Sequence, residues 1–133
     1  MAFSTLTDEM LSRPDPLDTL STWLETQAAL FSDPDHPPGC MISTAVLGCA
    51  VENDPLARMV AERREATIAR IQARLARARM EGEIKADADP LTLARFVGAI
   101  IQGMSIQARD GAGRAELTAL ARLAAEELAR QQP

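Results

Sequence analysis

Few residues in this chain are spaced for chemistry, and the single histidine is the natural place to start. His36 lies in the loop Asp33-Pro34-Asp35-His36-Pro37-Pro38-Gly39. A Ser-His-Asp relay would have to use it, yet no Gly-x-Ser-x-Gly elbow occurs to present a nucleophile. It reads as a surface loop histidine. Cys40 and Cys49 are nine residues apart in one apparently helical stretch, which at about 100° per residue puts them on opposite faces. They read as small apolar core groups, with no neighbouring Cys or His at ligand spacing. Glu126-Glu127 reads as solubilising charge, and no glycine-rich phosphate loop is present. No catalytic residue, metal site or cofactor is therefore expected.

The arginines are the next candidates. Seven of the 14 basic residues fall in one segment: Arg58, Arg63, Arg64, Arg70, Arg74, Arg77 and Arg79. Arg70, Arg74 and Arg77 share a helical face, an arrangement that could meet phosphates. Aromatic stacking partners are missing, however, and the chain carries a net charge of −5 with a pI near 4.9. Nucleic-acid affinity comes from clustered cations releasing counterions, so this face reads as solvated and DNA is not expected to be this chain's own target. Arg63 lies near an apolar stripe, where it could snorkel or grip an anion. No run of 18 apolar residues and no signal-peptide pattern occurs, which predicts a cytoplasmic protein with no membrane contact.

The elements that hold these residues are helices. The composition is 47% hydrophobic, with one Trp, three Phe and no Tyr, and no long apolar/polar alternation marks a strand. At 133 residues the chain is expected to form one domain, with residues 1–14 reading as a remnant of a preceding helix. Asp15-Pro16 caps a helix to about Ser32, whose stripe is Leu17, Leu20, Leu24, Ala28 and Phe31. The uncharged stretch Cys40–Val51 reads as a buried helix. Asn53-Asp54-Pro55 opens a long helix to Glu81, apolar at Leu56, Val60, Thr67, Ile71, Leu75 and Ala78, and Gly82 ends it. Asp89-Pro90 opens another to about Asp110, and the last runs from Arg114 to about Arg130. The expected fold is all-α, a bundle of five to six helices.

The segment from Pro90 onward is apolar around most of its circumference: Leu91, Leu93, Phe96, Val97, Ile100, Ile101, Met104 and Ile106 exceed a single stripe. Gly98 and Gly103 each cost about 1 kcal/mol against Ala in a helix interior, so something is expected to approach the backbone there. Such a hairpin is completed most simply by its twin across a twofold axis, a four-helix interface. Its expected residues are Val97, Ile101, Ser105, Leu117, Leu120, Ala121, Ala124 and Leu128.

Several motifs occur in a familiar order: Pro-Pro-Gly-Cys at Pro37–Cys40, Asn-Asp-Pro at Asn53, Gly-Glu-Ile at Gly82, Asp89-Pro90 with Ala94-Arg95-Phe96, and the run Ile101–Ala112. Over about residues 16 to 130 the chain resembles the C-terminal domain of TetR/AcrR-type transcriptional regulators. The resemblance implies a homodimer built by the last two helices, an interior pocket for a small-molecule effector, and DNA contact only through a helix-turn-helix that this sequence does not contain. Pocket candidates are Trp23, Met41, Ile42, Ala45, Met59, Arg63, Phe96, Ile100 and Met104, mostly apolar with a polar group to orient a ligand; each type also packs readily as plain core. Two functions fit: an effector-sensing and dimerisation domain, or a headless protein that pairs with an intact regulator.

Overall fold

The computed structural model describes Asp8, residues 11–35 and residues 55–133. The expected helix at Cys40–Val51, with Met41, Ile42, Ala45 and both cysteines, lies outside the described residues, as does His36. Four helices are described, against the five or six expected: α1 (Pro16–Phe31), α2 (Pro55–Met80), α3 (Pro90–Arg109) and α4 (Arg114–Ala129). The chain is all-α, and no strand occurs among the described residues.

Local chemistry sets the helix ends where capping rules place them. Asp15 precedes Pro16 in extended conformation (φ −106°, ψ 99°), and its Oδ1 accepts the Asp18 N–H at 3.2 Å. Asp89 does the same for α3, accepting the Leu91 N–H at 3.1 Å, the Thr92 N–H at 3.4 Å and the Thr92 hydroxyl at 2.7 Å. The ends of α2 and α3 share one device. Gly82 (φ +75°) and Gly111 (φ +105°) enter the left-handed region that a side chain rarely adopts. The turns then close through Glu83 N–H to the Ala78 carbonyl at 2.8 Å and Ala112 N–H to the Gln107 carbonyl at 2.9 Å.

Packing makes α3 the common wall. Helix α1 lies along α4 and also leans on α3, whereas α2 lies along α3 and barely meets α1. The inward stripe of α1 is Leu17, Leu20, Trp23, Leu24, Ala28 and Phe31, and it meets Leu117, Ala121, Ala124 and Leu128 of α4. From α2 come Ile68, Ile71, Leu75 and Ala78, and the α2–α3 turn adds Ile84 and Ala88. Each large apolar side chain so enclosed is worth roughly 1.5–3 kcal/mol of transfer free energy. Two expectations for α2 are corrected: Leu56 is 46% exposed, and Arg74, placed on a solvated face, is buried while Ile68 takes an inward position.

The Asp89 cap gives a signed pH dependence. Above all the Thr92 hydroxyl, with the Thr92 and Leu91 amides, holds its carboxyl below the usual aspartate range. A depressed folded-state value means the cap stabilises fully above the unfolded value of about 3.9 and is lost as pH falls through the lower, folded one. Asp89→Asn, which still caps but does not titrate, is expected to show a shallower acid-side fall in Tm than the parent and a similar Tm at pH 7; parallel thermal melts from pH 7 to pH 2 check this.

Candidate functional site

Of the side chains expected to line a pocket, the structure gathers few. Trp23 and Met104 are buried in the core; Phe96 and Ile100 are half-buried on the outward side of α3. Met59 is 45% exposed and Arg63 is exposed, both on the solvent side of α2. These six do not surround a common space. Sequence reasoning passed over Gln27, which is 1% exposed and whose Nε2 is buried without a hydrogen-bond partner. It lies four residues after Trp23 and four before Phe31, at the middle of the inward arc of α1. That spacing was its signal; its polarity masked it, because a buried unpaired amide costs about 1–3 kcal/mol.

An open cleft of about 420 Å³ runs between α2 and α3, lined by Ala61, Arg64, Glu65, Ile68, Arg95, Ala99 and Gln102. Its rim is closed by a fork between helices: Arg95 Nη1 and Nη2 donate to Glu65 Oε1 and Oε2 at 3.0 and 3.2 Å. Those hydrogen bonds hold the Glu65 carboxyl below its usual range and the Arg95 guanidinium above its own. Both groups are exposed to solvent, so salt screens the pair and it serves as a surface clasp. Deeper in the same seam, Gly98 lets α2 approach, since a Cβ there would stand 3.1 Å from Ile68 Cγ1.

Of the residues expected at a subunit contact, Val97, Ile101, Ser105, Leu117, Ala121, Ala124 and Leu128 are buried within the single chain. Only Leu120 remains half-exposed. On α3 the buried residues Leu93, Ala94, Val97, Ile101, Met104, Ser105 and Ala108 span an arc of about 120° at 100° per residue, and α2 takes the adjoining flank. What is left is a row at i, i+4, i+7 and i+11: Phe96, Ile100, Gly103 and Gln107. On α4 the matching row is Glu116, Leu120, Leu123 and Glu127, with Leu123 64% exposed. Arg122 reaches Glu25 of α1 at 3.8 Å, so α1 occupies the opposite flank of α4 from this row. The inner edges of Phe96, Ile100 and Leu120 rest on the core and their outer edges are open.

Gly103 sits in the middle of the α3 row, and a Cβ there would meet nothing within 4 Å. Nothing among the described residues crowds it. Among the described residues α3 is also the one helix long and apolar enough to satisfy the composition of a membrane-crossing segment, though a third of that window is buried. Arg95, Gln102, Gln107 and Arg109 interrupt it, and α1, α2 and α4 already enclose its inner side.

Comparison with known proteins places this arrangement. Residues 16–125 match the family described as tetracyclin repressor-like, C-terminal domain. The HTH-type transcriptional repressor ComR of Escherichia coli K12 is 30% identical over 102 residues, covering 77% of this chain and 49% of that protein. Among solved structures, a cysteine-substituted form of the TetR-family transcriptional regulator CifR, in complex with 26-base-pair operator DNA, superposes with a TM-score of 0.82 at 25% identity. That match covers 92% of this chain and 64% of the other. A TetR-type protein from Rhodococcus sp. RHA1 gives a TM-score of 0.78 at 29% identity, covering 97% and 68%. The chain thus spans about half the length of the curated relative it matches.

The two helical glycines separate what this chain packs from what it leaves open. Gly98→Leu, forced against Ile68, is expected to cost about 1–3 kcal/mol in urea denaturation. Gly103→Leu, measured at a dilution where chains are apart, is expected to change stability by less than about 1 kcal/mol.

Proposed function

The chain belongs to the tetracyclin repressor-like C-terminal domain family, and from that premise we propose that it is the effector-sensing and dimerisation part of a TetR-type transcriptional regulator. The observation that carries the proposal is that Phe96, Ile100 and Gly103 on α3, and Leu120 and Leu123 on α4, are left partly or fully exposed by the described residues. An apolar strip of this kind, rimmed by Glu116 and Glu127, is what an isologous twofold contact uses. Pairing two such hairpins builds a four-helix interface, and Gly103 lets the partner's backbone come close.

Sensing draws on the inward side of α1. Gln27, one turn after Trp23 on the same helix, holds a buried amide donor without a hydrogen-bond partner. A mostly apolar effector with one carbonyl or carboxylate oxygen suits that chemistry. DNA contact belongs to the part of the relatives that this chain does not span; CifR is seen on operator DNA, and the matched portion is 64% of it. The effector would act by changing how two such DNA-binding parts are held across the dimer.

Ile100→Glu tests the interface, because it puts a carboxylate on the strip at a half-buried position and leaves the fully buried residues of α3 unchanged. Static light scattering is expected to give twice 14.3 kDa for the parent and 14.3 kDa for the variant, with the helical circular-dichroism signal kept. A variant that remains dimeric overturns the interface. For sensing, a fluorimetric screen of apolar carboxylates and ketones is expected to raise the Tm of the parent for at least one compound, by up to about 2.7 kcal/mol of added stability at a hundredfold excess over Kd, and less for Gln27→Leu. A screen with no shift, or equal shifts in both proteins, overturns the assignment of Gln27.

A further inference from the structure

Arg74 is the least expected charge in the molecule. Its side chain is 5% exposed, in the C-terminal half of α2, and it reaches both the stretch before α1 and the turn after α2. Its Nη2 donates to the carbonyls of Arg13 at 3.3 Å and Pro14 at 3.2 Å, and lies 3.6 Å from Glu83 Oε2. One turn earlier on the same helix, Arg70 pairs with Asp8. Two arginines at i and i+4 thus hold the chain that leads into α1 at two points.

Both sides of this contact are stiff. The lead-in is Arg13-Pro14-Asp15-Pro16, where two prolines fix φ near −65° and restrict the residues before them to extended backbone. Asp15 obeys, at φ −106° and ψ 99°. Fixing two carbonyls in so rigid a stretch fixes the direction of what precedes it, including the turn that Ser12 N–H closes on the Asp8 carbonyl at 3.2 Å. On the other side, Glu83 belongs to the tight turn at Gly82, and the next amide but one, Lys85 N–H, is bonded to the Gln131 carbonyl at 2.9 Å. The turn is therefore pinned to the far end of the chain.

Stability alone does not account for the arrangement. Arg74 Nε and Nη1 and Glu83 Oε1 are buried without a hydrogen-bond partner. A buried ion pair with unmet groups is no more stabilising than apolar residues of the same volume. What a guanidinium adds over an apolar side chain is direction: planar donors that set the position of backbone carbonyls.

We propose that Arg74 is a positioning residue, a latch that couples the C-terminal end of α2 and the Glu83 turn to the segment preceding α1 and sets the angle at which that segment leaves the helical body. A displacement of α2 or of the turn passes through Arg74 to the carbonyls of Arg13 and Pro14. The latch does not depend on subunit pairing or on any effector, so its failure and that of the sensing assignment are separable.

The test is backbone 15N relaxation on the whole chain, comparing Arg74→Met, which keeps the stem but not the fork, with Arg74→Lys, which keeps the charge. In Arg74→Met the order parameters of Leu11, Ser12 and Arg13 are expected to fall from about 0.85 to below about 0.6, while those of α3 and α4 hold. Arg74→Lys is expected to fall in between. Lead-in residues that stay ordered in folded Arg74→Met overturn the proposal, and so does an even loss of order through all four helices, which marks a plain packing role. Should Arg74→Met not fold, Glu83→Gln is judged by the same two outcomes.

Discussion

A helix that is apolar around most of its circumference has to be covered on more sides than one neighbour can reach, and α3 imposes that requirement on everything else in this fold. Burying apolar area is the main favourable term in folding, and it is satisfied only by contact. Helices α1 and α4 close one side of α3 and α2 closes a second. The third side, Phe96 to Gln107, has no further helix of the described residues to meet.

The other features follow from how those sides are divided. Where α2 approaches, a glycine at 98 admits Ile68, and the Arg95–Glu65 fork clasps the seam at its solvent edge. Where α1 and α4 approach, small residues such as Ala94, Ala121 and Ala124 let the helices interlock. On the remaining side a second glycine at 103 faces open space. Two glycines five residues apart therefore differ in surroundings: one is packed against Ile68, and the other has no neighbour within 4 Å among the described residues.

Much of the architecture was legible in the amino-acid sequence because it rests on local chemistry. Asp15-Pro16, Pro55, Asp89-Pro90, Gly82 and Gly111 mark the helix ends to within a residue or so of where they fall, since capping and left-handed turns depend on neighbours in the chain. The stripe of α1 was equally plain. Which arc of α3 faces inward was not: with apolar residues nearly all round, the choice that buries Ile101 and leaves Ile100 half-buried is made by α1 and α4 rather than by α3. Arg74 was read as solvated because its partners lie some sixty residues away in sequence. Gln27 was missed because an inward amide looks like an interruption of a stripe. Tertiary context decides all three, and periodicity carries no record of it.

In the proposed assembly a second copy of the same chain closes the open side of α3 and α4. Sedimentation equilibrium of the unmodified protein over a hundredfold range of concentration tests it most directly. A mass converging on twice 14.3 kDa as concentration rises is expected. A constant mass of 14.3 kDa, with the protein folded at the highest concentration, would contradict it.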